Sequence, residues 1–199
     1  RFRRYLASRG FDDPASVASL YNLRCCNTGR WKDRLIFLIY QYGKLIAWTG
    51  RALGNPVHAP RYLSTSNLIK STIFNEDEIR RGGDTLFITE GPVDALKVDY
   101  YGHPHGGRAT CVFGTSITID QISILKRVSR NFVRVVLLFD PEAVETAFSM
   151  SEWLPQAVVG QIPAGAEDPG ALNPKQVAEL VAKYGGTKDG YTGKNYLVT

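Results

Sequence analysis

The chain has 199 residues, of which 44% are hydrophobic, 22% charged and 11% aromatic. These proportions build a globular core and exclude a mainly disordered or collagen-like chain. The net charge of +5 is unevenly spread: residues 1–81 carry 14 basic and 6 acidic side chains, net +8, whereas residues 82–199 carry 10 basic and 13 acidic, net −3. Such a split suits a polyanion-binding part joined to a part that holds cations.

No apolar run approaches the 18 residues of a membrane span, and the N-terminus RFRRYLASRG lacks the apolar core of a signal peptide. Cys25, Cys26 and Cys111 make a poor disulfide framework, and the adjacent pair does not match zinc-ligand spacing. A reduced, cytoplasmic protein is expected, with Cys25 and Cys26 partly buried. The chain opens without Met, so an excised fragment of a longer protein is also expected.

In chain order, residues 2–9 suit a short helix, and Asp12-Asp13-Pro14 starts another, proline being tolerated in a first turn. Residues 34–40 (RLIFLIY) and 44–49 (KLIAWT) read as a hairpin around Gln41-Tyr42-Gly43, and Gly54-Asn55-Pro56 marks a loop. From residue 85 the pattern becomes regular. Strands are expected at 85–89, 109–113, 133–139 and 157–162, and helices at 92–101, 118–128, 143–154 and from Asn173-Pro174 to about Gly185. Thr118-x-x-Gln121 is a capping box, followed by Ile119, Ile122, Leu125 and Val128 as an apolar stripe. Strand–helix alternation predicts an α/β fold with a mainly parallel sheet and flanking helices, preceded by a smaller basic mixed α+β subdomain. The tail after Gly185 reads as polar and loosely held. His103-Pro104-His105-Gly106-Gly107 reads as a surface loop, and the three histidines, His58 included, are too scattered for a metal site. Gly190-Tyr191-Thr192-Gly193-Lys194 lacks the spacing of a phosphate loop, which excludes an ATPase engine.

In an open parallel sheet the chemistry gathers beyond the carboxyl ends of the strands. Glu90-Gly91 follows the first of the four strands, and Asp94 lies one helical turn on. Gly114-Thr115-Ser116 follows the second, Asp140 and Glu142 the third, and Glu167 and Asp168 the fourth. Each acid alone also suits a helix start, where negative charge is favoured. As a set, unpaired carboxylates repel one another unless cations fill the space, and oxygen donors without His or Cys suit Mg²⁺ or Mn²⁺.

Three ordered motifs resemble the TOPRIM domain of DnaG-type DNA primases of bacteria and phages: Glu90-Gly91-x-x-Asp94-Ala95, Phe113-Gly114-Thr115-Ser116-Ile117-Thr118-x-x-Gln121 and Phe139-Asp140-x-Glu142. Upstream, RWKDRLIF at 30–37, GKLIAWTGRAL at 43–53, Arg61-Tyr62-Leu63-Ser64 and Tyr5-Leu6-x-x-Arg9-Gly10-Phe11 are similar to the basic subdomain of that polymerase core. The resemblance implies three parts: a basic subdomain at 1–81, a TOPRIM domain at 82–172, and a C-terminal helix and tail at 173–199. It implies an acidic site of Glu90, Asp94, Asp140, Glu142 and Asp168 for two or more Mg²⁺ or Mn²⁺ ions, with Glu90, Asp140 and Glu142 at the chemistry. A basic face of Arg34, Arg51, Arg61 and Lys70, with Tyr62, Gly114 and Thr115, would hold template and nucleotide. The implied activity is metal-dependent synthesis of short RNA primers on single-stranded DNA from nucleoside triphosphates, with pyrophosphate released.

Implied partners are the template, a replicative helicase and a zinc-binding module outside this chain, in the cytoplasm of a bacterial or phage-infected cell, with no membrane partner. Two departures stand out: Asp140-Pro141-Glu142 replaces the family's paired aspartates, and Gly170 replaces an expected acid. The alternatives are a TOPRIM-type DNA nuclease and a non-catalytic single-strand DNA-binding module.

Overall fold

The computed structural model describes residues 1–54 and 59–185. His58, the tail from Gly186 and the Gly190–Lys194 stretch therefore lie outside the described residues. Two short helices come first, α1 (Phe2–Ser8) and α2 (Pro14–Leu20). The Asp13 carboxylate caps α2 by accepting from the Ala15 and Ser16 amides at 3.1 and 3.0 Å, with Pro14 in the first turn.

An antiparallel sheet follows in the order β1-β2-β3-β4: β1 (Arg24–Cys26), β2 (Arg34–Gln41), β3 (Lys44–Ala52) and β4 (Tyr62–Ser64). The β2–β3 turn has Tyr42 at φ 53° and Gly43 at φ 72°. Two successive left-handed residues match the twist of a tight hairpin. The Asp77 carboxylate, on α3 (Glu76–Ile79), accepts from both of their amides at 2.7 and 2.8 Å.

The second sheet has the order β6-β5-β7-β8, every neighbour parallel: β5 (Gly83–Thr89), β6 (Gly107–Cys111), β7 (Phe132–Leu137) and β8 (Ala157–Val159). Its connecting helices are α4 (Pro92–Gly102), α5 (Ile119–Ser129) and α6 (Val144–Trp153); α7 (Pro174–Tyr184) closes the described chain. Alternation along β5 divides the core. Phe87 joins Phe37, Ile39, Leu96 and Val181 on one side, while Leu86 and Ile88 join Leu125, Leu137 and Met150 on the other. Strands of the two sheets thus share one apolar cluster, which fixes the acidic ends of β5 and β7 relative to β3 and β4.

Both capping boxes, Thr118–Gln121 and Asn173–Gln176, are formed. Several elements differ from expectation. β6 stops at Cys111 because Phe113 and Gly114 turn to φ 58° and 118°. β8 stops at Val159, short of Ile162. Residues 141–143 form a 3₁₀ turn ahead of α6. Ile119, at the first turn of α5, is 68% exposed and leaves the apolar stripe. Cys25 is exposed, since β1 lies at the sheet edge. His103–His105 is a 3₁₀ turn, and Gly107 opens a buried strand.

Two buried acids tie elements together. Asp99 accepts from Arg108 Nε at 2.9 Å, the Ala109 amide at 2.7 Å and Tyr21 Oη at 2.7 Å. Glu76, with no exposed surface, accepts from Arg80, from Arg127 at 3.0 Å and from Gln41 at 3.0 Å. Among the described residues no helix is long and apolar enough to cross a membrane.

Candidate active site between the two sheets

Glu90 is the first residue beyond β5, and its Oε1 accepts from the Asp140 amide, beyond β7, at 3.0 Å. Neighbouring parallel strands thus bring two acids together across 50 residues of sequence. Burial raises the Glu90 carboxyl; the Asp140 amide opposes this, and the charges of Asp140 and Glu142 add to it. Asp140 is raised by burial and by Asp168, and lowered by Arg61. Its Oδ1 is buried without a hydrogen-bond partner.

Asp94, in the first turn of α4, is the most perturbed acid. Burial, then Asp168 and Asp140, push it up to about 7, while Arg9 and Arg51 hold it down. Asp168 starts the 3₁₀ turn Pro169–Ala171, and its Oδ1 lies 3.4 Å from Arg9 Nη2. A Cβ on Gly170 would lie 2.6 Å from Arg9 Nη2, 2.6 Å from Asp94 Oδ1 and 3.2 Å from Asp168 Oδ1. Glycine here leaves space between acid and cation that a second carboxylate would fill. Glu142 is exposed on its 3₁₀ turn and reaches the group by charge alone. Glu167 is exposed.

The antiparallel sheet brings cations beside the same acids. Arg51 on β3 and Tyr62 on β4 are register partners. The Arg51 guanidinium donates to Tyr62 Oη at 3.1 Å and to Tyr5 Oη, and lies 5.2 Å above the Tyr62 ring. Tyr62 Oη would lie 3.7 Å from a Cβ on Gly91, which puts the pair beside Asp94. Arg61 is exposed and close enough to Asp140 to favour its charged form.

Arg34 departs from its implied part. It is 5% exposed, and its guanidinium donates to the carbonyls of Gly50 at 2.9 Å, Pro60 at 2.9 Å and Arg61 at 3.4 Å. Three of the five guanidinium N–H bonds are thus engaged with backbone, so in this structure Arg34 fixes the segment that carries Arg61. Lys70 Nζ donates to Ser116 O at 2.8 Å and Val112 O at 3.2 Å, holding the loop of Gly114 and the exposed Thr115. That loop is pinned again by the Gly114 amide, which donates to Glu90 O at 2.9 Å.

Among the described residues no set of three His, Cys, Asp or Glu is gathered tightly enough to hold a metal ion as it stands. The donors nonetheless suit a hard divalent cation, being carboxylate oxygens with one buried oxygen, Asp140 Oδ1, lacking a partner. Sequence reasoning assigned no part to Arg9 or Tyr5. Their only signal was their position in the opening stretch Tyr5-Leu6-x-x-Arg9-Gly10-Phe11.

A DNA primase from Clostridium acetobutylicum is 29% identical over 61% of this chain and 20% of its own length, so the match spans about a fifth of that protein. A structure described as the DnaG primase catalytic domain bound to single-stranded DNA aligns with a TM-score of 0.63 at 22% identity, over 92% of this chain and 70% of that one. The chain is thus similar in sequence to a DNA primase and shares the fold of the DnaG primase catalytic domain. The primase fragment of the bacteriophage T7 primase-helicase aligns over 89% of this chain and 72% of its own, with a TM-score of 0.64 and 13% identity. A chain from a structure of T7 lagging-strand DNA polymerase with primase domains covers 90% of each, with a TM-score of 0.67 and 16% identity. No family model matches. The antiparallel sheet joined to a parallel four-stranded sheet is thus the fold of a primase catalytic domain, and the acidic strand ends open onto the join.

Proposed function

We propose that this chain is the catalytic core of a DNA primase, making short RNA primers on single-stranded DNA from nucleoside triphosphates. The observation that carries the reading is that the ends of β5 and β7 bring Glu90 into contact with the Asp140 amide at 3.0 Å, with the Arg51–Tyr62 pair beside Asp94 and Arg9 3.4 Å from Asp168. Primer extension joins a 3′-hydroxyl to an α-phosphorus and releases pyrophosphate, so negative charge must be held and balanced at one place. In this reading residues 1–81 are the basic subdomain, 82–172 the TOPRIM domain and 173–199 the C-terminal helix and tail.

Glu90, Asp94, Asp140, Glu142 and Asp168 would hold two or more Mg²⁺ or Mn²⁺ ions, which when bound neutralise triphosphate charge and favour the attacking alkoxide. Glu90 and Asp140 sit at the centre, coupled through the Asp140 amide; the exposed Glu142 serves at the rim. Arg61 meets phosphate directly, and Arg51, stacked on Tyr62, presents a fixed cation beside Asp94. Lys70 acts by holding Gly114 and Thr115 at the edge where nucleotide enters. The partners of this reading are the DNA template, nucleoside triphosphates, a replicative helicase and a zinc-binding module outside the chain, in the cytoplasm of a bacterial or phage-infected cell.

The test is incorporation of labelled nucleotides on single-stranded DNA with Mg²⁺, Mn²⁺ or neither. Metal-dependent, template-dependent product supports the reading. Loss of supercoiled plasmid with metal but without nucleotides marks a nuclease instead. DNA binding without incorporation under either metal marks a binding module.

A further inference from the structure

Among the described residues Lys97 is the one fully buried lysine, with no exposed surface, and no step described above uses it. A buried ammonium costs more than the aliphatic side chain that would fill the same space, so its retention calls for a partner that an aliphatic group cannot serve. Its Nζ donates to the carbonyl of Arg9. It lies 4.1 Å from the centre of the Phe11 ring and 5.3 Å from that of Tyr101, and 3.2 Å from where a Cβ on Gly10 would be. Gly10 has φ 73°, so the chain turns sharply at the point the amine grips.

The grip is double. Tyr101, four residues further along α4, donates from Oη to Gly10 O at 3.1 Å and accepts from the Asp12 amide at 2.9 Å. Asp94, Lys97 and Tyr101 follow an i, i+3, i+7 spacing and share one stripe of α4. The first is an acid of the cleft; the other two hold the Arg9–Asp12 turn at the end of α1. From that turn the Arg9 side chain reaches back to Asp168, and its charge holds Asp94 down. Arg9 Nε is buried without a hydrogen-bond partner, so the guanidinium is held by its backbone and by Asp168 rather than by a cage of its own. The path is closed: Asp94, one turn of helix, Lys97, the Arg9 backbone, the Arg9 guanidinium and the Asp168–Asp94 pair.

We propose that Lys97 is a positioning residue, which through the Arg9 carbonyl keeps the Arg9 guanidinium at the Asp94–Asp168 edge of the cleft and so sets how tightly that edge takes a divalent cation. The inference rests on the metal-binding reading of the cleft given above. Arg9 and a divalent cation compete for the same carboxylate charge, so releasing Arg9 tightens cation binding.

The experiment is Mn²⁺ binding to the whole chain without nucleotide or DNA, followed by the electron spin resonance signal of free Mn²⁺, in a double-mutant cycle of Lys97→Met and Arg9→Ala. Methionine matches the length of the lysine stem, so Lys97→Met should keep the wild-type circular dichroism and melt no lower. Lys97→Met should tighten Mn²⁺ by about fivefold, add nothing in the Arg9→Ala background, and be reversed by Lys97→Arg, which keeps a cationic donor. A merely structural lysine would leave Mn²⁺ affinity unchanged, and a lysine acting through its own charge would tighten it equally in both backgrounds; either result overturns the proposal. If Lys97→Met fails to fold, Lys97→Leu, which likewise lacks a donor, is carried through the same cycle with the same two contradicting outcomes. Wild-type protein that binds no Mn²⁺ overturns the metal-binding reading itself, and this inference with it.

Discussion

Asp99 and Glu76 are more deeply buried than any acid of the cleft, yet they belong to the frame of the protein. Each is met by a guanidinium, and further donors engage the same carboxylate: the Ala109 amide and Tyr21 hydroxyl on Asp99, and the Gln41 amide on Glu76. Glu90, Asp94 and Asp140 lie nearer the surface and are all raised, by burial and by one another. Asp140 Oδ1 has no partner at all. Burial depth therefore does not distinguish a working acid from a structural one. What differs is how far the fold answers the charge: Asp99 and Glu76 are met by several donors, whereas Asp140 Oδ1 is met by none, and in the function proposed above that difference leaves room for a ligand.

Mutations should separate the two groups. Asp140→Asn and Glu90→Gln should each lower nucleotide incorporation by about 10³-fold, comparable to removing a key electrostatic partner of a transition state, with melting temperature held or raised because a raised carboxyl is being neutralised. Melting curves and single-turnover incorporation read this together. Asp99→Ala should do the reverse, losing about 3–5 kcal/mol of stability by stranding the Arg108 charge, with the remaining folded protein active. Chemical denaturation measures the loss; a stable Asp99→Ala variant would dissolve the contrast.

The pH dependence sharpens it further. Asp94 moves from its ordinary 3.8 up to about 7, so the folded state holds this proton more tightly than the unfolded state. Its contribution favours folding below about pH 4 and is lost as pH rises through 7. The metal-free protein should melt lower at pH 8 than at pH 5, with a smaller difference in Asp94→Asn. Mn²⁺, which binds the ionised form, should raise the melting temperature more at pH 8. Equal melting changes in the wild type and Asp94→Asn would remove Asp94 from the account. Arg61→Ala and Arg34→Ala should also part company. Arg61→Ala weakens single-stranded DNA binding and flattens its salt dependence by about 0.7 of a unit, whereas Arg34→Ala lowers stability first, since its donors hold backbone.

The alternation of strands and helices, the Thr118 capping box and the four strand-end positions were legible in the sequence because each is local: a period, a cap, the residue after a strand. What was not legible is long-range. Arg9 meets Asp168 across 159 residues, and nothing near either one signals the other. Charge alone places Arg34 on a phosphate-binding face, because it counts the residue and not the carbonyls of Gly50, Pro60 and Arg61 that the guanidinium meets. Gly170 looked like a missing acid, and the structure shows why a side chain there meets Arg9 and Asp94 at 2.6 Å. Ile119 fits an apolar spacing, yet it lies where α5 has only begun and no neighbour covers it.

The function proposed above turns on whether the cleft acids, Asp140 with its unpartnered Oδ1 first among them, take a divalent cation. The most direct measurement is the Mn²⁺-induced shift in melting temperature, compared between the wild type and Asp140→Asn at pH 8. The account predicts a rise in the wild type that grows with Mn²⁺ concentration, and its near-complete loss in Asp140→Asn. An equal rise in both, or none in the wild type, would contradict it.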